Sequence, residues 1–218
     1  MQGKVVPDYP LLYSLGGFRY CDLLLDAPER AAWNLTLHSS IPNLSSMSES
    51  CRAVAHRAAQ TLKWAKQNNA CLIDIALNQL IVGRVALYQA ILDRSSLDSC
   101  HVYIQHAVEA LRHARRIDHI PLGLLTRSWL RFRDDARIGP ESAQSDLDEA
   151  WEIAERGPMP LFLADIHLHR ARLLHALKPY PWESPQRDLA EAKRLIEKHG
   201  YLRRMEELED AEVTAKAW

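Results

Sequence analysis

Histidine and carboxylate side chains come closest to a metal-binding pattern at Asp165, His167 and His169. Residues four apart share one face of a helix, so Asp165 and His169 can meet, whereas His167 points elsewhere. A zinc site takes three or four protein ligands, and no third ligand is identifiable for this pair. The segment therefore predicts structural polar contacts, and we expect neither a metal nor another cofactor.

Nucleophilic residues lack the spacing that covalent catalysis needs. The GxSxG turn of the α/β-hydrolases is absent, and many of the serines fall in the stretch 39–50, which has the composition of a loop. No CxxC pair occurs among the four cysteines, so they predict neither a zinc ribbon nor a redox motif. We expect reduced, partly buried thiols and no enzymatic activity. The cysteines are Cys21, Cys51, Cys71 and Cys100.

Helical periodicity dominates the elements that must position these residues. Small and large apolar residues recur at spacings of three and four, as at Leu147, Ala150 and Ala154, and this pattern is typical of amphipathic helices. The alternating runs that strands need are absent, and proline and glycine pairs separate the segments. The predicted helices are 8–26, 28–38, 47–67, 71–93, 98–116, 121–134, 142–156, 160–177, 185–199 and 201–216.

The predicted helices repeat in pairs with a period of 42 to 43 residues. The similar segments 146–150 and 188–192 are 42 residues apart. Gly83-Arg84, Thr126-Arg127 and His169-Arg170 follow one another at intervals of 43 residues. A repeating two-helix unit predicts a stacked solenoid, because one helical hairpin cannot bury its apolar face alone.

Small residues at the centres of the predicted helices carry a family resemblance. Val82-Gly83 in one helix and Ala107, Leu111 and Ala114 in the next resemble the tetratricopeptide repeat. The resemblance implies an all-α, right-handed α-solenoid of about four helical hairpins plus a capping helix. The chain would then be one helical-repeat domain. Its parts would be an N-terminal helical pair and linker (1–46), a repeat core (47–199) and a C-terminal capping helix (200–218).

Four segments carry a narrower resemblance. Residues 9–15, 18–24, 164–172 and 180–185 resemble the C-terminal repeat region of bacterial STAND-class signalling ATPases, in which the repeats act as a sensor beside an ATPase and an effector domain. The GxxxxGK[ST] loop is absent from this sequence, so phosphate binding of the P-loop kind is not expected. The resemblance implies a sensor that works with an ATPase or effector module in the same or a neighbouring chain.

Charge and hydropathy narrow the classes of partner. The 218 residues carry a formal net charge of −1, which favours neither a nucleic acid nor a membrane. No run approaches 18 apolar residues and no signal-peptide pattern begins the sequence, so we expect a cytoplasmic protein. Residues 101–137 hold seven arginines and four acids, so a nucleic-acid-binding helical repeat is the alternative function. The small excess and sparse aromatic residues argue against it.

The tetratricopeptide resemblance assigns a partner site to Arg84, Arg127 and Arg170. Each directly follows the residue that matches the small helix-A position, and the next residue faces the concave groove in that family. Three guanidiniums in a ladder could each bind a carboxylate or a backbone carbonyl bidentately. The partner implied is a protein or peptide that is acidic or carboxylate-ended, bound by an interaction scaffold or sensor.

Bracing is the alternative role for these arginines. Each could pair with an acid of its own chain, such as Asp74, Asp165 or Glu149. Burial of at least two guanidiniums in salt bridges between helices would favour bracing over groove binding.

Aromatic residues give two further predictions. Trp151 lies on the stripe formed by Leu147 and Ala154, so we expect it to pack against Leu125 or Trp129 of its own helical pair. The segment 179–182, Pro-Tyr-Pro-Trp, predicts a packed turn, because prolines restrict the backbone and a tryptophan is costly to expose. Ser184 and Pro185 then form the N-cap and first residue of the next helix.

Overall fold

The chain is all-α in the residues that the structure, a computed structural model, describes: 11, 14–37, 44–67 and 70–218. Ten α-helices, a 3-10 helix at Leu202–Arg204 and no strand occur in these ranges. The helices are α1 Ser14–Leu24, α2 Asp26–Leu37, α3 Leu44–Gln67, α4 Leu72–Asp93, α5 Asp98–His113, α6 Ile120–Arg133, α7 Ala143–Arg156, α8 Pro160–Leu174, α9 Pro185–His199 and α10 Met205–Ala215.

The observed helices lie close to the predicted ones. Residues 44–46, which we expected to belong to a loop, instead form the first turn of α3. The predicted start of the first helix at residue 8 and most of the polar linker lie outside the described residues. The all-α prediction and the packing of consecutive helices are confirmed.

Contacts divide the chain into two compact units, residues 1–116 and 117–218. In the first unit α4 is the central helix and packs against α1, α2, α3 and α5. Among the described residues it is the one helix long and apolar enough to span a bilayer, and 72% of its apolar window is buried within the protein. Such burial is typical of a core helix. The predicted single repeat domain stays a prediction.

A close approach of backbones joins α4 to α5. A Cβ atom added at Gly83 would lie 2.7 Å from Cγ1 of Ile104, whose side chain is fully buried. Only glycine fits at this separation without displacing its neighbour. Close packing of α4 on α5 therefore explains the glycine at the centre of α4. The tetratricopeptide resemblance rests partly on this residue.

The second unit is built from two helix pairs and a final helix. Helix α6 packs on α7, α8 packs on α9, and α8 also contacts α6 and α7 of the preceding pair. Helix α10 covers α9 and α8. A cluster of small and aliphatic side chains fills the space among α8, α9 and α10. Its buried members are Ala164, Leu168, Ala171, Leu189, Ala192, Leu195, Ile196, Leu208 and Ala211.

Local sequence signals set several helix ends in this unit. Ser142 and Ser145 form a reciprocal capping box at the start of α7. Ser184 accepts a hydrogen bond from the amide of Arg187, with Pro185 as the first residue of α9, as the sequence predicts. Gly200 ends α9 with φ at 64°, a conformation that favours glycine.

Candidate functional site

Arg84 lies in the middle of α4 and is 1% exposed. Its Nη1 donates to Asp22 of α1 at 2.6 Å, its Nη2 to Glu29 of α2 at 2.9 Å, and its Nε to the Tyr88 hydroxyl at 3.1 Å. Burial lowers the pKa of Arg84, but Tyr88 and the two carboxylates outweigh burial and hold that pKa well above its ordinary value. The guanidinium therefore braces α4 against α1 and α2.

Arg127 occupies the equivalent position in α6 and is also buried. It binds Asp146 of α7 bidentately, with its Nε 3.1 Å from Oδ2 and its Nη2 2.7 Å from Oδ1. Arg131, one turn later, reaches the same carboxylate oxygen with its Nη1 at 2.9 Å. Asp146 is 1% exposed, so the pair joins α6 to α7 from inside the unit.

Arg170, the third arginine of the series, has a different environment in α8. Its Cζ lies 4.4 Å from the centroid of the Trp151 ring and 4.3 Å from that of Trp182, so two indoles contact the guanidinium. The nearest carboxylate is Asp148, 3.6 Å from Nη2 and beyond hydrogen-bond distance. The buried Nε has no hydrogen-bond partner within the part of the chain that the structure describes.

We call Asp148, Trp151, Arg170 and Trp182 the Arg170 cage. The Trp182 indole donates to Asp148 Oδ1 at 3.0 Å, which ties the segment after α8 to α7. The Arg170 side chain is only 7% exposed, whereas that of Asp148 is 44% exposed. Burial lowers the pKa of Arg170, opposed by the charges of Asp188 and Asp148. The cage thus holds a buried cation close to solvent.

Two further side chains close the cage on the α9 side. His167 Nδ1 is 2.6 Å from Asp188 Oδ1, and the Tyr180 hydroxyl donates to Asp188 Oδ2. Burial, followed by the charge of Asp188, raises the pKa of Tyr180. His167 and Tyr180 engage one carboxylate oxygen of Asp188 each, and no hydrogen bond joins Asp188 to Arg170 among the described residues.

The geometry of the three arginines departs from an open ladder. All three are buried, and Arg84 and Arg127 are engaged in salt bridges between helices, which is the bracing arrangement. The pairing acids differ from the examples given by the sequence, because contacts across helices depend on helix crossing rather than on sequence distance. Partner binding by Arg84 and Arg127 stays a prediction that their burial does not favour.

The two aromatic predictions have different outcomes. Trp151 is half-buried, and its recorded ring contacts are with His167, at 5.0 Å between centroids, and Arg170, both on α8. Packing of Trp151 against Leu125 or Trp129 of α6 stays a prediction. The packed turn is confirmed by the ring contact of Tyr180 with Trp182 at 5.4 Å.

The metal-like triplet has structural partners. Asp165 accepts hydrogen bonds from Arg204 at 2.8 Å and from the Tyr201 hydroxyl at 3.1 Å. His169 Nδ1 donates to the backbone carbonyl of Asp165 at 2.8 Å, and burial lowers the pKa of His169 to about 3. No group of three or more metal-binding side chains occurs among the described residues.

A second buried network joins α8 to α10. Arg172 Nη1 donates to Glu207 at 2.8 Å, and Arg204 Nη1 donates to the other oxygen of the same carboxylate. Burial opposes ionisation of Glu207, but the charges of Arg204 and Arg172 outweigh it and lower its pKa to about 2. Unlike Arg170, these arginines have hydrogen-bonded carboxylates.

Known proteins offer no guide to these arrangements. No family model, curated protein or solved structure matches the chain. The functional interpretation therefore rests on the geometry.

The sequence pointed to Arg170 but missed the residues around it. Asp148 lies in the repeated acidic segment 146–150, and Trp182 lies in the turn predicted to be packed. Nothing in their spacing showed that both would meet Arg170, because α7 and the turn after α8 come together only through tertiary packing.

Proposed function

We propose that the chain is a tetratricopeptide-like, right-handed α-solenoid that acts as a protein-interaction scaffold or sensor. It binds a peptide or protein partner, and by its resemblance to STAND-class proteins it works with an ATPase or effector module. The all-α architecture, the consecutive helix pairs and the close Gly83–Ile104 approach support the repeat part of this proposal.

The Arg170 cage is the observation that carries the binding part of the proposal. Buried polar atoms normally have hydrogen-bonded partners, and the buried Nε of Arg170, which has none among the described residues, is an exception that needs an explanation. Arginine and tryptophan are also the residues most enriched at the energetic centres of protein interfaces. Trp151 and Trp182 are half-buried and so partly reach solvent, which supports a contact site at the cage.

The alternative, nucleic-acid binding, has less support from the basic segment. Arg127 and Arg131 bind Asp146 there, and Arg137 is 3.0 Å from Asp135. Their charges are largely compensated within the chain, so they offer less to a phosphate backbone.

Selection from a random-sequence peptide library tests the proposed function. The full chain is immobilised, recovered peptides are synthesised, and their dissociation constants are measured by calorimetry for the wild type and Trp182→Ala. We expect Trp182→Ala to weaken binding at least tenfold, about 1.4 kcal/mol, because it removes one face of the cage. Trp64→Ala, which removes a half-buried tryptophan of α3, is the matched control and should bind normally.

Two outcomes would contradict the proposal. One is that no peptide binds the folded wild-type chain. The other is that Trp182→Ala and Trp64→Ala bind the recovered peptides equally well while circular dichroism shows both variants to be folded.

A further inference from the structure

Comparison of two successive repeats shows which hydrogen-bonded pair Arg170 does not form. Arg127 and Arg170 are separated by one 43-residue period, and their acids Asp146 and Asp188 are separated by 42 residues. Arg127 binds Asp146 at 2.7 Å, but no hydrogen bond joins Arg170 to Asp188 among the described residues. The second copy of the pair is therefore present in the chain but not formed.

Two side chains, His167 and Tyr180, accompany this difference between the repeats. The residue 43 positions before His167 is Leu124, which is fully buried and offers no hydrogen bond to Asp146. His167 instead holds one oxygen of Asp188 at 2.6 Å, and Tyr180 holds the other. Asp188 therefore forms hydrogen bonds with His167 and Tyr180 and, among the described residues, none with Arg170, the arginine that corresponds to Arg127 of the preceding repeat.

Negative charge nevertheless lies close to Arg170. Asp148 lies 3.6 Å away, and Asp188 and Asp148 both favour the charged form of the arginine. Two carboxylates face one guanidinium, and Glu191 lies near His167. What the buried Nε lacks is a hydrogen-bond acceptor, although negative charge lies nearby. A further carboxylate would meet repulsion from Asp148 and Asp188, whereas a neutral acceptor would not.

We propose that Arg170 binds an uncharged carbonyl oxygen of a partner peptide, either a main-chain carbonyl or the side-chain amide of Asn or Gln. The two indoles, with ring centroids 4.4 and 4.3 Å from Cζ, contact the guanidinium. Its N–H groups lie along the edge of its plane and are the donors for the carbonyl oxygen. This inference rests on the proposed function. It differs from the acidic partner that the tetratricopeptide resemblance implies.

Asp148 has a distinct part in this arrangement. Its carboxylate accepts from the Trp182 indole and stays 3.6 Å from Arg170, so it supplies charge without occupying the N–H donors. Exposed at 44%, it also discourages a competing anion from solvent. The cage therefore discriminates between a carbonyl and a carboxylate of the same shape.

The composition of the recovered peptides is the first test. The library selection described above is repeated with the wild-type chain at low and high salt. We expect binders that are not enriched in Asp or Glu, and affinities that change less than about threefold with salt, because no new ion pair forms. Enrichment of acids, or loss of binding at high salt, would overturn the proposal.

Point variants give the second test. In binders that contain Gln or Asn, replacing that residue by Glu or Asp should weaken binding. If replacing the same residue by Ala has no effect, Arg170 binds a main-chain carbonyl rather than the side-chain amide. Arg170→Lys keeps the charge but removes the planar donors, so at least a tenfold loss is expected. Asp148→Asn should reduce the preference for Gln over Glu peptides, because it removes a carboxylate that repels an anion, whereas the control Glu152→Gln on the same helix should leave the neutral peptides bound within about threefold.

These variants also separate a carboxylate ligand from a carbonyl. If Asp148→Asn tightens binding at least tenfold while Glu152→Gln does not, the partner group is a carboxylate and the proposal fails. If Arg170→Lys fails to fold by circular dichroism, the Gln-to-Glu comparison and Asp148→Asn decide alone.

The outcomes distinguish this inference from the proposed function. If the recovered peptides are acidic and their binding depends on Trp182, the interaction function is supported. The proposal that Arg170 binds an uncharged carbonyl oxygen is then contradicted. Failure to recover any binder would contradict the interaction function itself, and the assignment with it.

Discussion

At the scale of single residues, Asp146 illustrates a buried carboxylate on which two arginines depend. We expect Asp146→Asn to lower the free energy of unfolding by about 3–5 kcal/mol, because Arg127 and Arg131 would be left without their buried anion. Asp148→Asn, which alters a looser and more exposed pair, should cost less than about 1 kcal/mol. Urea denaturation measures both, and equal losses would contradict the contrast between the two arginines.

His169 makes stability depend on pH near neutrality. Burial, and then the charge of Arg172, lowers the pKa of the folded-state ring to about 3, below its ordinary value of 6.5. Protonation therefore favours the unfolded chain, so this contribution is complete above pH 6.5 and is lost as the pH falls toward 3. We expect a slope of up to about 1.4 kcal/mol per pH unit below pH 6 that His169→Gln removes. Parallel profiles for the two proteins would contradict this.

The sequence predicted the positions of single residues within helices but not their contacts with other helices. The 43-residue spacing correctly placed Arg84, Arg127 and Arg170 at the centres of three helices. It did not identify Asp22 or Asp146 as partners, since those contacts depend on how helices cross. The sequence also did not predict that the Nε of Arg170 lacks a hydrogen-bond partner among the described residues, because this depends on the tertiary contacts of Asp188 with His167 and Tyr180.

At the scale of elements, Gly83 controls how closely α4 approaches α5. We expect Gly83→Ala to lower the free energy of unfolding by about 1–2 kcal/mol, because the clash with Ile104 outweighs the better helix propensity of alanine. Gly16→Ala in α1 is the control, since no packing neighbour among the described residues lies within 4 Å of the added Cβ, and it should be neutral or stabilising. Equal effects in thermal melts would contradict the close-packing account.

Helices were the most predictable elements because their signals are local. Ser184-Pro185 and Gly200 marked the two ends of α9 directly. The start of α3 was missed because residues 44–46 combine serines with one leucine, a composition that suits a loop as well as a first helical turn. The contacts of Trp151 with His167 and Arg170 were missed for another reason: periodicity gives the face of a helix but not every helix that covers it.

At the scale of the whole molecule, the division at residue 116 makes a folding prediction. Residues 117–218 contain complete helix pairs and their own buried core, so we expect this fragment to be helical and to unfold cooperatively by circular dichroism. A fragment that stays unfolded would show instead that its helices depend on their neighbours, as in a repeat array with strong interfaces between repeats.

The central claim is that Arg170 binds the partner while its equivalents brace the fold. The most direct measurement is the calorimetric dissociation constant of one library-selected peptide for the full chain and for Arg170→Gln, with circular dichroism confirming that both are folded. The account predicts at least a tenfold weaker constant for Arg170→Gln, because the donors between Trp151 and Trp182 are lost. An unchanged constant would contradict it.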